Sequence, residues 1–196
     1  MIPNPIRKVL STIAAHRVRA LLMGGQACVF YGAAEFSRDI DLAILADTAN
    51  LGRLKRALDD LQCELVYVPP LTKDYLQRGH AIHFRCGHPE ARDLCVDVMA
   101  VMRGVAPFAE LWRRRTTIRD RQGSVFDLLS LPDLVRAKKT QCDKDWPMLR
   151  RLLEADYASA GRGGFTRTRV LFWLRTLETS KDSTRKSVRA ARTRGK

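Results

Sequence analysis

The sequence has no long uncharged segment. Its longest run without Asp, Glu, Lys or Arg is Ala20–Ala34, which is 15 residues long and contains two adjacent glycines. A membrane-spanning helix requires about 20 consecutive apolar residues, so none is predicted. The first apolar run, Val9–Ala15, is too short for a signal peptide and is followed by His16 and Arg17. We therefore expect a cytoplasmic protein with no membrane partner.

Paired cysteine spacing is also missing. The five cysteines include no CxxC motif, and an odd number of thiols cannot all pair within one chain. This pattern does not predict the disulfide framework of a small secreted domain. We expect the cysteines to be reduced.

Negative charge is scarce, because 21 Asp and Glu stand against 35 Lys and Arg, giving a formal net charge of +14. Residues 162–196 contribute +9 of this excess, with eleven Lys and Arg against two acidic residues. Such a surplus favours a polyanionic partner, either nucleic acid or nucleotide phosphates. Residues 178–196 are expected to form a basic, disordered tail, since residues 181–196 hold one large apolar side chain.

The hydrophobic pattern of the remaining chain alternates between strand-like and helix-like runs. The strand-like runs are 19–23, 39–45, 64–68, 81–85 and 94–100, and helical spacing is found at 6–15 and 51–61. Beyond residue 100 the pattern predicts helices, one starting at the capping-box sequence Ser130-Leu-Pro-Asp133 and one at Trp146-Pro147. We predict an α/β (α+β) fold, with a mixed β-sheet flanked by helices in residues 1–130 and a helical segment in residues 131–177.

Two carboxylates lie two residues apart in the strand-like segment Asp39-Ile-Asp41-Leu-Ala-Ile. In a strand such residues point to the same face, so Asp39 and Asp41 share one face while Ile40 and Leu42 enter the core. Two like charges this close require a counterion. Carboxylate oxygens suit Mg²⁺, which also binds triphosphates, and the segment therefore predicts a magnesium site.

A diglycine, Gly24-Gly25, follows the first strand-like run and precedes a short helical pattern. Without Cβ atoms the backbone can approach a phosphate closely, and the amides at a helix start can hold it. The alternative is an ordinary turn, which is the more common role of a diglycine found without other motifs.

Together these segments resemble the signature of the nucleotidyltransferase superfamily, the fold of DNA polymerase β and of AbiEii and MenT-type toxins. That signature is a hydrophobic strand, Gly-Gly or Gly-Ser, a short helix, and then Asp-x-Asp flanked by apolar residues. Leu21–Ala27 followed by Asp39–Ile44 is similar to it, and the resemblance covers about residues 6–155. It implies the nucleotidyltransferase fold and two-metal transfer of a nucleoside monophosphate from an NTP, with two Mg²⁺ ions, or Mn²⁺ in their place.

In that family a third carboxylate comes from a later strand, and Asp97 in Leu94-Cys-Val-Asp-Val-Met is in the corresponding position. The resemblance thus implies Asp39, Asp41 and Asp97 as metal ligands. An aspartate in the middle of a strand also requires a ligand or partner on physical grounds. The alternative partner is Arg85 or Arg92 across the predicted hairpin.

AbiEii-like enzymes further carry a C-terminal helical motif of basic residues and an aspartate, which the segment from Lys138 to Asp145 resembles. The resemblance implies catalytic roles for Lys138 and Asp145, and nucleotide binding by Gly24, Gly25, Lys138, Lys139 and Lys144. Lys138 and Lys139 lie about 100° apart on a helix, so we expect only one to face a triphosphate. Near Cys142 the family pattern has an arginine that is missing here. Asp145 has the alternative role of capping the helix that begins at Trp146.

Zinc binding is the alternative role for a group of residues between positions 80 and 95. Their residue types are those of zinc ligands, and they are His80, His83, Cys86, His88 and Cys95. Their spacing does not bring them to one side of a strand, so zinc is not favoured. His83 or Arg85 would then line the nucleotide cleft.

The resemblance implies a toxin of a toxin–antitoxin pair, with an NTP and RNA as substrates, the 3′ end of tRNA as acceptor, and a cognate antitoxin as partner. The basic tail is consistent with RNA binding. One alternative is a nucleotidyltransferase that modifies a small molecule such as an antibiotic, or that AMPylates a protein. The other is a non-catalytic nucleotide- or RNA-binding protein of the same fold.

Overall fold

The computed structural model describes residues 4–120, 122–141, 146–161 and 164–177. The strands in these ranges are β1 Ala20–Met23, β2 Asp39–Ile44, β3 Cys63–Leu65, β4 Ile82–Cys86, β5 Cys95–Met99, β6 Thr116–Arg119 and β7 Val125–Leu128. The helices are α1 Asn4–Ala15, α2 Gly24–Phe30, α3 Thr48–Asp60, α4 Lys73–Gln77, α5 Phe108–Arg113, α6 Leu131–Gln141 and α7 Trp146–Ala160. A 3₁₀ turn spans Pro89–Ala91, and residues 167–177 are helical.

The strands form one seven-stranded sheet in the order β3-β4-β5-β2-β1-β7-β6. The pairs β2–β5 and β1–β7 are parallel, and the other neighbouring pairs are antiparallel. The predicted mixed sheet is thereby confirmed. All four residues of β1 and four of the six in β2 are buried, whereas β5 alternates between buried and half-buried residues.

Helices flank both faces of this sheet. Helices α1 and α3 contact each other, and α1 packs on the face to which Leu42 points. On the opposite face, α2 packs against β1 and β2, α6 contacts α2, and α7 contacts α6. The N-cap of the amphipathic helix α3 is Asp47, whose side chain accepts a hydrogen bond from the Asn50 amide.

The chain after residue 100 is less helical than its pattern predicts. Strands β6 and β7 form a hairpin across residues 116–128, and β7 pairs with β1 at Leu22 and Leu128. The prediction of helices throughout this half was wrong at this hairpin. Each strand is only four residues long, which is too short for a clear pattern, and β7 is held in the sheet by its pairing with the distant strand β1. Strand β3 also begins and ends earlier than predicted, and Pro69 and Pro70 beyond it have no amide to extend a ladder.

Helix α6 is anchored at its first turn. The Ser130 hydroxyl oxygen accepts a hydrogen bond from the Asp133 amide at 3.4 Å, which is the N-cap interaction expected at this helix start, and the hydroxyl donates to the Asp133 carboxylate at 2.6 Å. Asp133, which is 2% exposed, also accepts two hydrogen bonds from Arg114, at 2.6 and 2.8 Å. This bidentate pair joins α6 to the end of α5 and fixes where the following turns of α6 lie.

None of the helices in the described part of the chain combines the length and the hydropathy needed to cross a bilayer.

Candidate active site

The carboxylates of β2 lie on one face of the sheet, as the sequence predicts. Ile40 and Leu42 are buried in the core, whereas Asp41 is partly buried and Asp39 is exposed at the start of the strand. The Cys95 thiol is hydrogen-bonded to the Asp39 side chain. Strand alternation alone accounts for the shared face of Asp39 and Asp41.

Asp97 is brought next to these carboxylates by the parallel pairing of β2 and β5. In that pairing Asp41 is the register partner of Asp97, and Asp39 is the partner of Cys95. Residues paired in register point to the same face, so all three aspartates lie on one side of the sheet. Asp97 is 56 residues after Asp41 and 58 after Asp39 in the sequence, and only the sheet topology brings it next to them.

The partner of Asp97 in the structure is a histidine. His83 on β4 is its other register partner, and His83 Nδ1 lies 2.8 Å from Asp97 Oδ1. The sequence offers an arginine, Arg85 or Arg92, only as the alternative to a metal-ligand role for Asp97, and it names His83 or Arg85 as a residue of the cleft. The alternation of β4 buries Ile82 and Phe84 and leaves both His83 and Arg85 on the carboxylate face, and the register of β4 with β5 then pairs His83 with Asp97 and Arg85 with Cys95.

Gly24 is required by the Asp41 side chain. Its backbone has φ +63°, and a Cβ atom built there would overlap the Asp41 carboxylate. A Cβ on Gly25 would lie 2.7 Å from the Ser37 hydroxyl oxygen. The Gly25 amide donates a hydrogen bond to Asp41. The diglycine therefore gives the β2 carboxylate room and a donor, whatever its part in phosphate binding.

Asp41 is held in an environment that disfavours its charge. Burial, followed by repulsion from Asp97, raises its pKa to about 6, against attraction by Lys138 and the Gly25 hydrogen bond. A raised carboxylate pKa with a second carboxylate in register indicates negative charge that the protein itself does not fully compensate.

The two adjacent lysines of α6 point in different directions. Lys138 is near enough to Asp41 to lower its pKa by electrostatic attraction. Lys139 lies with Nζ 5.9 Å from the centre of the Trp146 ring, and burial, together with Arg136, lowers its pKa. Of the two lysines, Lys138 is therefore the one the structure joins to the carboxylates.

The other predicted residues divide into two groups. Lys144 and Asp145, with Cys142, lie outside the described residues. The proposed zinc residues are described but do not converge, because His83 and Cys86 occupy opposite faces of β4 and His88 Nδ1 accepts a hydrogen bond from the Glu90 amide. In the described ranges no three His, Cys, Asp or Glu side chains form a ready-made metal-binding group.

No protein-family model matches the sequence, and no curated protein matches it. Among solved structures, the chain is similar to the solution structure of the antibiotic-resistance factor ANT(2″)-Ia, with 12% identity and a TM-score of 0.45 over 97% of this chain and 95% of that chain. It is also similar to a crystal structure of ANT(2″)-Ia in complex with adenylyl-2″-tobramycin, with 15% identity and a TM-score of 0.43 over 97% of each chain. Similarities with such low sequence identities and TM-scores assign no activity to this chain.

The first prediction concerns Gly24. We expect Gly24→Ala to lower the free energy of unfolding by at least about 2 kcal/mol, because alanine is strained at this φ and its methyl group displaces Asp41. Gly52→Ala is the matched control, since a Cβ there meets nothing within 4 Å in the interior of α3. It should raise stability by about 0.5–1 kcal/mol. Urea unfolding of the two variants checks both values, and equal stabilities would contradict the steric assignment.

The second prediction concerns the charge of Asp41. Its folded-state pKa of about 6 exceeds the ordinary value of 3.8, so the carboxyl group opposes folding as pH rises through this interval. In metal-free buffer, Asp41→Asn should raise the free energy of unfolding by about 1–3 kcal/mol at pH 8 and by little at pH 4. Chemical unfolding at several pH values with a chelator measures the difference. A variant without a stability gain at pH 8 would show that the burial of this charge is unimportant.

Proposed function

We propose that this protein is a metal-dependent nucleotidyltransferase that moves a nucleoside monophosphate from an NTP to an acceptor hydroxyl. The observation that carries the proposal is the register of β2 and β5, which joins Asp41 to Asp97 beside Gly24 and within electrostatic reach of Lys138. The sequence resemblance described above connects this arrangement with nucleotidyl transfer.

The donor set fits Mg²⁺. Asp39, Asp41 and Asp97 offer hard carboxylate oxygens, and the raised pKa of Asp41 indicates uncompensated negative charge at the point where they meet. Mg²⁺ in phosphoryl-transfer sites takes one or two protein carboxylates and completes its coordination with substrate phosphates and water, so a closed group of three protein ligands is not needed. When bound, the ion neutralises phosphate charge and makes an acceptor hydroxyl easier to deprotonate.

Each protein group then has a defined part. Asp39 and Asp41, on the central strand β2, would hold the cation. The Lys138 ammonium, on the rigidly anchored α6, attracts phosphate oxygens and the departing pyrophosphate. His83 donates from Nδ1 to Asp97 and so orients this carboxylate toward Asp41, as outer hydrogen bonds commonly do for metal-binding groups.

We propose two candidates for the acceptor. RNA is the first candidate because the positive charge of the sequence is concentrated in residues 162–196. A small hydroxyl-bearing molecule is the second, and tobramycin is a practical probe for it. The most specific version of the RNA proposal is a toxin that modifies tRNA and has a cognate antitoxin. The tRNA reaction described below tests whether tRNA is the acceptor.

The experiment that tests the activity is a transfer assay with purified protein, Mg²⁺, each α-phosphate-labelled NTP in turn, and either total tRNA or tobramycin. Label transferred to tRNA identifies an RNA nucleotidyltransferase, and label on tobramycin identifies a small-molecule enzyme. Label on protein indicates AMPylation-type chemistry. If calorimetry detects Mg-NTP binding but no labelled product forms, the proposed enzymatic activity is contradicted and a nucleotide-binding protein is favoured.

The third prediction separates catalysis from folding. We expect Asp41→Asn to reduce transfer by more than about 100-fold although it stabilises the metal-free protein, because the amide cannot replace an anionic ligand. Transfer rate and unfolding are measured on the same preparation. If the variant is more stable and still fully active, the assignment of Asp41 to the active site is wrong.

The fourth prediction uses the two neighbouring lysines as a matched pair. Lys138→Ala should lower kcat/KM for the NTP by roughly 10–1000-fold, since it removes a charge next to the carboxylates. Lys139→Ala should lower it by less than about 3-fold, because its side chain lies at Trp146 and makes a weak cation–π contact. The steady-state kinetics of both variants decide the assignment, and a larger loss for Lys139 would reverse it.

A further inference from the structure

Two cysteines that are 23 positions apart in the sequence face each other across an antiparallel strand pair. Cys63 on the edge strand β3 is the register partner of Cys86 on β4, and their Sγ atoms are 3.0 Å apart. Both are free thiols. This pair lies on the opposite face of the sheet from His83 and Arg85, because alternate residues of β4 point to opposite faces.

The backbone around the pair is held by hydrogen bonds on both sides. The Gly87 amide donates to Gln62 O at 2.9 Å, and the Val66 amide donates to His83 O at 2.9 Å. Hydrogen-bonded and non-hydrogen-bonded pairs alternate along an antiparallel ladder, and these bonds make Cys63 and Cys86 a non-hydrogen-bonded pair. The Cα atoms of such a pair are about 4.5 Å apart, which is within the range of about 4.4–6.8 Å found for disulfides.

Strands β3 and β4 approach closely beside the cysteine pair, and this close contact restricts their register. A Cβ on Gly87 would lie 2.9 Å from Gln62 O, so the glycine allows the strands to come together next to the cysteines. Cys86 is 1% exposed and Cys63 is partly exposed at the sheet edge, which gives small reagents access to one sulfur of the pair.

We propose that Cys63 and Cys86 are a reversible oxidation site that forms a cross-strand disulfide with a low-molecular-weight disulfide as oxidant. The inference concerns the edge of the sheet and does not rest on the proposed nucleotidyl transfer. It also changes the expectation from sequence that all cysteines stay reduced, since that expectation considered spacing along the chain and not across strands.

The chemistry balances in two exchange steps. The Cys63 sulfur, as thiolate, attacks one sulfur of the small disulfide, and the other half leaves as a thiolate that takes up a proton. The Cys86 sulfur then loses its proton and attacks Cys63 Sγ, which releases the second small thiol. Two protein thiols become one disulfide, two electrons pass to the oxidant, and two protons are carried away on two small thiols.

The hydrogen bond between the two thiols affects them in opposite directions. It lowers the pKa of Cys86, whereas with burial it raises the pKa of Cys63, so the partly exposed Cys63 sulfur is the attacking group because of its access to the reagent and not because it ionises readily. Cys95 does not compete for the same partner. It is the register partner of Arg85 and therefore points to the face opposite Cys86.

The test is an exchange titration of the full chain in mixtures of reduced and oxidised glutathione, quenched with an alkylating reagent. Intact mass and peptide mapping should show loss of two alkylation sites and a peptide that links Cys63 to Cys86. The oxidised protein should melt roughly 5–10 °C above the reduced protein, because the bond closes a loop in the unfolded chain. Reduction with dithiothreitol should restore both thiols.

Cys63→Ser should abolish the bond and the melting shift, whereas Cys95→Ser, the control on the neighbouring strand, should retain both. Peptide mapping of the unaltered chain remains decisive if Cys63→Ser does not fold. Three results would overturn the proposal: full alkylation of both cysteines in oxidised glutathione, a stable glutathione adduct on Cys63 beside an intact Cys86 thiol, or a disulfide that involves a different pair.

Discussion

The Asp41 carboxylate occupies the space that a side chain at position 24 would need. The candidate active site depends on the absence of that side chain. Gly24 has the positive φ at which glycine is favoured, and Gly25 donates its amide to the same carboxylate. The turn between β1 and α2 and the face of β2 are thus built around one side chain. A larger residue at this turn would move either the strand or the charge.

This arrangement stores unfavourable electrostatic energy at the centre of the sheet. Burial and Asp97 both act against the charge of Asp41, and Lys138 only partly offsets them. Proteins commonly keep such charges where a ligand completes the compensation, and the site is then less stable without the ligand than a neutral substitute would be. The bidentate pair of the exposed Arg114 and the buried Asp133 links the first turn of α6, the helix that carries Lys138, to the end of α5.

Strand register determines the chemistry on both faces of the sheet. On one face it places His83, Asp97 and Asp41 in a row across β4, β5 and β2. On the other face it places Cys63 opposite Cys86. A shift of one residue in a pairing would move the side chains of one strand to the other face and separate the group that this pairing joins, so the apolar residues that bury β4 and β5 also define the two clusters.

The sequence by itself determined the features that depend on local periodicity. Alternation in Asp39–Ile44 predicted the shared face of Asp39 and Asp41, and the residue pattern of Ser130–Asp133 predicted where α6 begins. The mixed sheet could be predicted because long apolar runs alternate with helical spacing. The hairpin of β6 and β7 could not, because four-residue strands have too little pattern to distinguish them from a helix.

Tertiary structure decided everything that depends on pairing between distant segments. It chose His83 over Arg85 as the partner of Asp97, Lys138 over Lys139 as the cation near the carboxylates, and Cys86 as the neighbour of Cys63. A sequence pattern shows which face a residue occupies within its own strand or helix. Which residues meet across strands follows from sheet order and register, and these are set by the burial of the whole core.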